Sequence, residues 1–131
     1  MHLPSGRCLF YCRPKLLNRR TPWGEVRPTI TYEGLNDQKQ WVRLTTHPGK
    51  LFENAVQALA RDILVHGMWL ARKRKLDIRL HVHDQVVVLA REDEGETALA
   101  ILRECLSTPP AWAPDIPLAA EGFVSRVFLK D

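Results

Sequence analysis

The sequence has 131 residues, of which 45% are apolar and 26% charged, and it carries a formal net charge of +4. This composition is ordinary for one globular domain or part of one, and the mild positive charge permits an anionic partner without requiring one. No apolar run approaches the roughly 20 residues of a membrane-spanning helix. Three cysteines, with no CxxC pair and no signal peptide, predict reduced thiols in a soluble cytoplasmic protein.

The first third of the chain predicts three strands and a loop. A short strand over residues 7–12 follows the turn signal "PSG". Residues 13–28 combine prolines with basic side chains and predict a basic, Pro-rich loop. The β-branched and aromatic stretches 29–34 and 40–46 then predict two strands that pair across an intervening turn.

The middle of the chain predicts one long helix and a hairpin. Apolar residues recur at helical spacing from 50 to 75, and the last turn of this helix is basic, which suits the negative end of its dipole. The stretch 78–90 then alternates on either side of His83 and Asp84, and it predicts two strands, 78–83 and 86–90, joined at these two residues.

The last third predicts a short amphipathic helix at 97–106, a loop at 109–118 and a final strand at 121–129. The predicted fold class is α+β: an antiparallel sheet with one hairpin, backed by one long helix and a shorter one. We expect a single partial domain over residues 1–131.

The long predicted helix carries a polar stripe within its apolar pattern. Asn54, Gln57 and Arg61 are spaced to share one face. Such a stripe is usually a solvated face. It is also the arrangement in which amides reach base edges in a minor groove and an arginine reaches a phosphate. Both interpretations remain open.

The hairpin turn raises a similar choice. Asp84 could satisfy backbone groups of its own turn, as aspartates often do, or a rigid hairpin could present its carboxylate to a hard cation such as Mg²⁺. His81 and His83 lie two residues apart, but no third ligand follows at a suitable spacing, so a zinc or iron site is not predicted.

Four segments in order carry a family resemblance: "LPSGRCLFY", "GKLFENAVQALARDIL", "LHVHDQVVV" and "PPAWAPDIPLAAEGF". Together they resemble the C-terminal palm region of family A DNA polymerases, in the form of a phage or phage-derived relative of bacterial DNA polymerase I. The resemblance covers almost the whole chain. It implies magnesium-dependent nucleotidyl transfer, with primer–template DNA and deoxynucleoside triphosphates as partners, in a bacterial or phage-infected cell.

The resemblance also implies roles for individual residues. The family's motif C corresponds to the "HD" turn, so Asp84 would be one of two aspartates that bind catalytic Mg²⁺, and His83 would lie beside the primer terminus. Gln57 would contact the primer–template minor groove. The remaining matches to DNA-contacting segments are Lys50, Asn54 and Arg61 in the helix and Arg7 in the "LPSGR" strand.

The chain also departs from the family pattern. Two-metal chemistry needs bridging carboxylates, yet the motif A aspartate and the nucleotide-binding fingers precede "LPSGR" in the family, and neither is found here. Gln85 stands where the family usually has glutamate, and "HPGK" replaces "YGGK". We therefore expect a palm fragment that needs an upstream polypeptide carrying motif A and the fingers, and that is inactive alone.

Two alternatives remain beside a split polymerase: a catalytically inactive remnant, and a free nucleic-acid-binding module that uses the basic stretch 13–27 and the polar helix face. A salt-dependent affinity for DNA would distinguish the module. Because the family's motif A strand pairs beside the hairpin, its absence predicts a bare strand edge. We expect the chain to self-associate or to cover that edge with its N-terminal segment.

Overall fold

The computed structural model describes residues 1–20 and 23–128. Its elements are, in chain order, β1 (Cys12–Arg20), β2 (Val26–Leu35), β3 (Trp41–Thr46), α1 (Pro48–Lys73), β4 (Asp77–Val82), β5 (Gln85–Leu89), a 3₁₀ turn (Glu92–Glu94) and α2 (Gly95–Leu106). All strand pairs are antiparallel, so the predicted α+β class is confirmed. The chain divides into two compact units, Met1–Leu59 and Ala60–Asp131, which are described in turn.

The first unit contains a three-stranded sheet in the order β1-β2-β3. The two predicted strands 29–34 and 40–46 are confirmed as parts of β2 and β3. Their turn is held by Asn36, whose Oδ1 accepts hydrogen bonds from the backbone amides of Gln38 and Gln40 at 3.0 and 2.9 Å. Thr31, at the middle of β2, is fully buried, and its hydroxyl donates to the Lys15 carbonyl at 3.0 Å.

The basic stretch 13–28 is not a loop, and that prediction is wrong. Residues 13–20 lie in β1, residues 26–28 begin β2, and residues 21 and 22 lie outside the described residues. The prolines are tolerated for local reasons. Pro14 falls in an irregularity between the Cys12 and Lys15 pairs, and Pro28 lies where β2 has β1 on one side only, because pairing with β3 begins at Ile30.

The predicted strand 7–12 is also wrong, since β1 begins at its last residue. The segment before β1 instead forms a tight turn closed by two backbone hydrogen bonds of 2.9 Å, from the Leu3 amide to Arg7 and from the Gly6 amide to Leu3. Gly6 takes a φ of +85°, which a residue with a side chain rarely adopts. The buried Leu3 anchors this turn.

The long helix is confirmed, with bounds close to the predicted 50–75. Pro48 occupies the first helical position, where no hydrogen bond from its nitrogen is needed, and Nδ1 of His47 accepts one from the Lys50 amide at 3.3 Å. The helix ends where Lys75 takes a φ of +64°. The amides of Lys75 and Leu76 donate back to Arg72 and Ala71, which satisfies the last carbonyl groups.

The second unit packs the hairpin against helical residues. Ala71, Leu102 and Cys105 form its buried centre, and partly buried hydrophobic residues surround it; they include Ile78 of β4 and Val86 and Val88 of β5. Burial raises the pKa of the Cys105 thiol. The predicted strands 78–83 and 86–90 are confirmed to within one residue at each end as β4 and β5.

An irregularity in β4 changes which residues enter this core. Ile78 pairs with Val88 and Leu80 pairs with Val87, so Arg79 is an extra residue in the ladder. Beyond it, the side chains of β4 change faces. Leu80 and Val82 consequently remain 43% and 40% exposed, although simple alternation places them with Ile78 in the core.

The short helix is confirmed, and it begins two residues before the predicted position 97. Residues 109–118 lack regular structure, as predicted. The predicted final strand 121–129 is wrong over 121–128, and Leu129 lies outside the described residues. Residues 121–128 pair with no strand of the described ranges. Instead the Val124 side chain lies against Gly95 at the start of α2, and Arg126 contacts Glu92.

The β4–β5 sheet contains two strands, and no third strand joins it within the described ranges 1–20 and 23–128. The N-terminal segment leads into the other sheet as β1, and its covering of the hairpin edge is not tested. Self-association stays a prediction. Cys8, Cys12 and Cys105 are free thiols, and no helix in the part of the chain that the structure describes is long and apolar enough to cross a membrane.

Candidate functional site

The turn between β4 and β5 is built from His83 and Asp84 alone. Val82 pairs with Gln85, which leaves these two residues to reverse the chain. His83 takes a φ of +54°, a left-handed conformation that costs roughly 1–2 kcal/mol for a residue with a side chain. A glycine or asparagine would adopt it more easily. Arg13, Lys39 and Lys75 take similar φ values, so the backbone conformation alone assigns no function to the side chain at position 83.

Asp84 is exposed, and its carboxylate makes no hydrogen bond or ion pair with the residues that the structure describes. The turn at Asn36 shows the contrast, because there the side-chain oxygen accepts two backbone hydrogen bonds. The interpretation in which Asp84 satisfies its own turn is therefore wrong. Both carboxylate oxygens remain available, as a ligand of a hard cation requires.

The residues 1–20 and 23–128 contain no group of three or more His, Cys, Asp or Glu side chains that could hold a metal ion. A Mg²⁺ ion, however, is commonly bound by one or two carboxylates together with water and substrate phosphates. The lone carboxylate of Asp84 fits one position of such a site. The assignment of Asp84 as a metal ligand stays a prediction.

The first half of α1 carries the predicted DNA-contacting residues of the helix in two different environments. Lys50 and Gln57 are exposed and both contact Glu53, at 2.9 and 3.3 Å from its Oε1. Asn54 is half-buried, and its amide donates to the Tyr11 hydroxyl at 3.1 Å. The polar stripe is thus solvated at Gln57 and Arg61, whereas Asn54 also links the helix to the segment before β1.

Arg7 lies against the same part of α1. Its guanidinium donates to the Ala58 carbonyl at 2.8 Å, and the tight turn that precedes it fixes its backbone. Arg7 therefore has a structural role at the middle of α1, beside any contact with DNA.

The predicted site residues fall into both units. The first unit contains Lys50, Asn54 and Gln57 in the first half of α1, and Arg7, which is bonded to Ala58 of the same helix. The second unit contains Arg61, which is exposed, and the turn residues His83 and Asp84.

A polar network in the first unit was not predicted. One carboxylate oxygen of Glu33 in β2 lies 2.6 Å from the guanidinium of Arg43 in β3. The other lies 3.1 Å from the guanidinium of Arg13 in β1. Partial burial opposes ionisation of Glu33, but the Trp41 hydrogen bond and the two arginines outweigh it and hold the pKa of Glu33 below its ordinary value. A turn at residues 36–40 puts Glu33 opposite Arg43 in the strand register. Opposite charges at these two positions are the sequence signal that could have revealed this pair.

Comparison with known proteins shows a relative among phage DNA polymerases. A DNA polymerase of Bacillus phage SP02 is 39% identical to this chain over 132 aligned positions. The match takes in 100% of this chain and 19% of the phage protein. No family model and no solved structure matches the chain. Along its whole length, the chain is therefore similar to one part of a phage DNA polymerase.

Proposed function

We propose that the chain is the C-terminal palm portion of a family A DNA-directed DNA polymerase and that Asp84 binds a catalytic Mg²⁺ ion. The single observation that carries the proposal is the unpaired carboxylate of Asp84 at the tip of a packed hairpin. The similarity to a phage DNA polymerase supports the same conclusion.

In this proposal the chain supplies half of a two-metal site. A two-metal site would need more than one carboxylate, because Asp84 alone cannot compensate for the mutual repulsion of two cations. A second aspartate would come from a polypeptide segment that carries motif A and the fingers. Bound Mg²⁺ would activate the primer 3′-hydroxyl and neutralise charge on the triphosphate. Asp84 would hold the metal, and His83 would position the primer terminus.

Contacts with primer–template DNA would come from polar residues of α1. Gln57 is exposed and could donate to base edges in the minor groove, while Lys50 and Arg61 are exposed cations suited to phosphates. Arg7 and Asn54 would hold this surface in place through Ala58 and Tyr11 and add contacts of their own.

The decisive experiment replaces the matching segment of the phage SP02 polymerase with this chain and measures primer extension with Mg²⁺ and four deoxynucleotides. We expect the chimaera to extend the primer and Asp84→Asn to lower the extension rate at least about 100-fold. The reason is that a metal lowers the barrier by several kcal/mol, and each 1.36 kcal/mol changes the rate tenfold. Asp37→Asn, at an exposed aspartate in another turn, is the matched control. An Asp84→Asn chimaera as fast as its parent would refute the metal role.

Metal binding can also be tested without activity. In the isolated chain, Mn²⁺ should broaden the NMR amide signals of residues 83–85, and Asp84→Asn should abolish that broadening while leaving the fold unchanged. Primer extension by the isolated chain would contradict the need for a second segment.

Gln85 favours one alternative, a catalytically inactive remnant. It stands where family A polymerases usually have glutamate, so this chain lacks a carboxylate next to Asp84. A chimaera that folds and binds primer–template but does not extend it would support the remnant. If Gln85→Glu then restored extension, the loss would be assigned to that single position.

A further inference from the structure

The outer part of the β1–β2 hairpin is a two-stranded arm. Pairing between β2 and β3 begins at Ile30, so residues 17–20 and 26–29 form a ribbon without a third strand. The arm consists of this ribbon with Lys15 and Leu16 at its base. All nine residues of β1 are exposed. Two strands alone are marginally stable in water, so a partner that binds such a ribbon would stabilise it.

The arm carries an excess of positive charge. Lys15, Arg19 and Arg20 of β1 make no ion pair among the residues that the structure describes, whereas Arg27 of β2 contacts Glu25 at 2.5 Å. Arg19 stands directly opposite Arg27 in the register. Like charges in opposed positions destabilise a strand pair, and an anion placed between them would remove that penalty.

The cations occupy both faces of the ribbon. Because side chains alternate along a strand, Lys15 and Arg19 project from one face and Arg20 from the other. A flat acidic surface could neutralise one face at a time. The two phosphate rows that border a DNA groove can contact both faces, and the major groove, about 12 Å wide, admits a two-stranded ribbon.

The base of the arm is held in a defined orientation. Arg43 donates to the Arg13 carbonyl at 3.1 Å and to Thr31 Oγ1 at 3.2 Å, and Thr31 Oγ1 donates to the Lys15 carbonyl at 3.0 Å. Glu33 links Arg13 and Arg43. A fixed base lowers the entropy lost when the arm binds a partner.

From these features we infer that the β1–β2 arm binds duplex DNA through its phosphate backbone, with Lys15, Arg19 and Arg20 as the contacting cations. The inference deepens the proposed function, since the ligand is the same DNA, but it concerns residues that have no part in the Asp84 chemistry.

The test measures fluorescence anisotropy of a labelled DNA duplex with the full chain over a series of salt concentrations in EDTA. The arm variant carries Lys15→Gln, Arg19→Gln and Arg20→Gln. The control variant carries Lys39→Gln, Arg72→Gln and Lys75→Gln, which removes the same charge from exposed positions outside the arm. Circular dichroism and thermal melting establish that both variants fold.

We expect the arm variant to bind at least about tenfold more weakly and its slope of log K against log salt to fall by about 3, roughly one for each lost phosphate contact. The control variant should keep the wild-type slope. Equal losses in both variants, or no loss in the arm variant, would overturn the inference.

Two further arms of the experiment identify the ligand. Poly-glutamate should compete poorly, and competition as strong as that of duplex DNA would show an acidic protein surface to be sufficient. Duplex RNA, whose major groove is deep and narrow, should bind more weakly, and equal affinity would overturn the groove placement. The binding measurement is made in EDTA and needs no metal at Asp84, so failure of the arm and failure of the metal role of Asp84 give different results.

Discussion

The molecule contains two hairpins that use the same backbone pairing for opposite chemistry. The β1–β2 hairpin is exposed along all of β1, carries cations along its strands and is held at its base by Glu33 and the arginines around it. The β4–β5 hairpin packs Ile78, Val86 and Val88 against a hydrophobic centre and carries a single carboxylate at its tip.

If both proposals hold, this difference matches each hairpin to its ligand. A carboxylate that binds a metal must be held in one position, so its strands are anchored by apolar burial on one face. An arm that contacts a repeating polyanion needs several charges along its length, so its strands stay exposed. Each hairpin therefore depends on a different type of interaction, and each can be disrupted separately.

The largest expected effect comes from the support of the β4–β5 hairpin. Leu102→Ala leaves a cavity beside Ala71 and Cys105 and should lower the free energy of unfolding of the second unit by about 2–5 kcal/mol. Chemical denaturation measures the loss, and hydrogen exchange should show reduced protection of β4 and β5 amides.

Leu16→Ala is the control for this substitution, because Leu16 on the arm is 71% exposed and its removal should change stability by less than about 0.5 kcal/mol. If Leu102→Ala reduced protection of the β1 amides as much as that of the β5 amides, the two hairpins would not depend on separate interactions.

A smaller effect is expected at the base of the arm. Glu33→Gln removes the charge that holds Arg13 and Arg43 and should destabilise the first unit at neutral pH. Because the folded-state pKa of Glu33 is lowered, its stabilisation is present above the ordinary carboxyl pKa and is lost as the pH falls through the folded value. Thermal melts of both proteins should therefore converge in acid.

Glu25→Gln serves as the comparison, since the Glu25–Arg27 pair is exposed and should contribute little at any pH. Melting curves of wild type and Glu33→Gln that stay equally far apart down to acid pH would show that the charge of Glu33 is not what stabilises the network.

The smallest expected effect is a gain in stability at the carboxylate hairpin. His83→Gly removes the strain of a φ of +54°, but glycine loses more conformational entropy on folding. The net effect should be a stabilisation of the chain by about 0.5–1 kcal/mol. His81→Gly, within β4, should destabilise it by a similar amount. In the polymerase chimaera, His83→Gly should slow primer extension. Unchanged extension would remove His83 from the proposed mechanism.

The regular elements that depend on local pattern could be predicted well. The helical periodicity of residues 50–75 and the alternation around His83 and Asp84 located α1 and the β4–β5 turn, because neighbours along the chain determine both. The stretch 13–28 was mispredicted because Pro14 and Pro28 indicate a loop unless a bulge and an unpaired strand side accommodate them.

The candidate site divides in the same way. The sequence by itself determined that Asp84 stands at a hairpin turn and that Lys50, Asn54 and Gln57 follow one another on a helix. Only the tertiary structure decided that Asp84 has no partner among the described residues, that Asn54 is bonded to Tyr11, and that 121–128 forms no strand. The physical reason is that periodicity arises from adjacent residues, whereas pairing, exposure and hydrogen-bond partners depend on groups far apart in the chain.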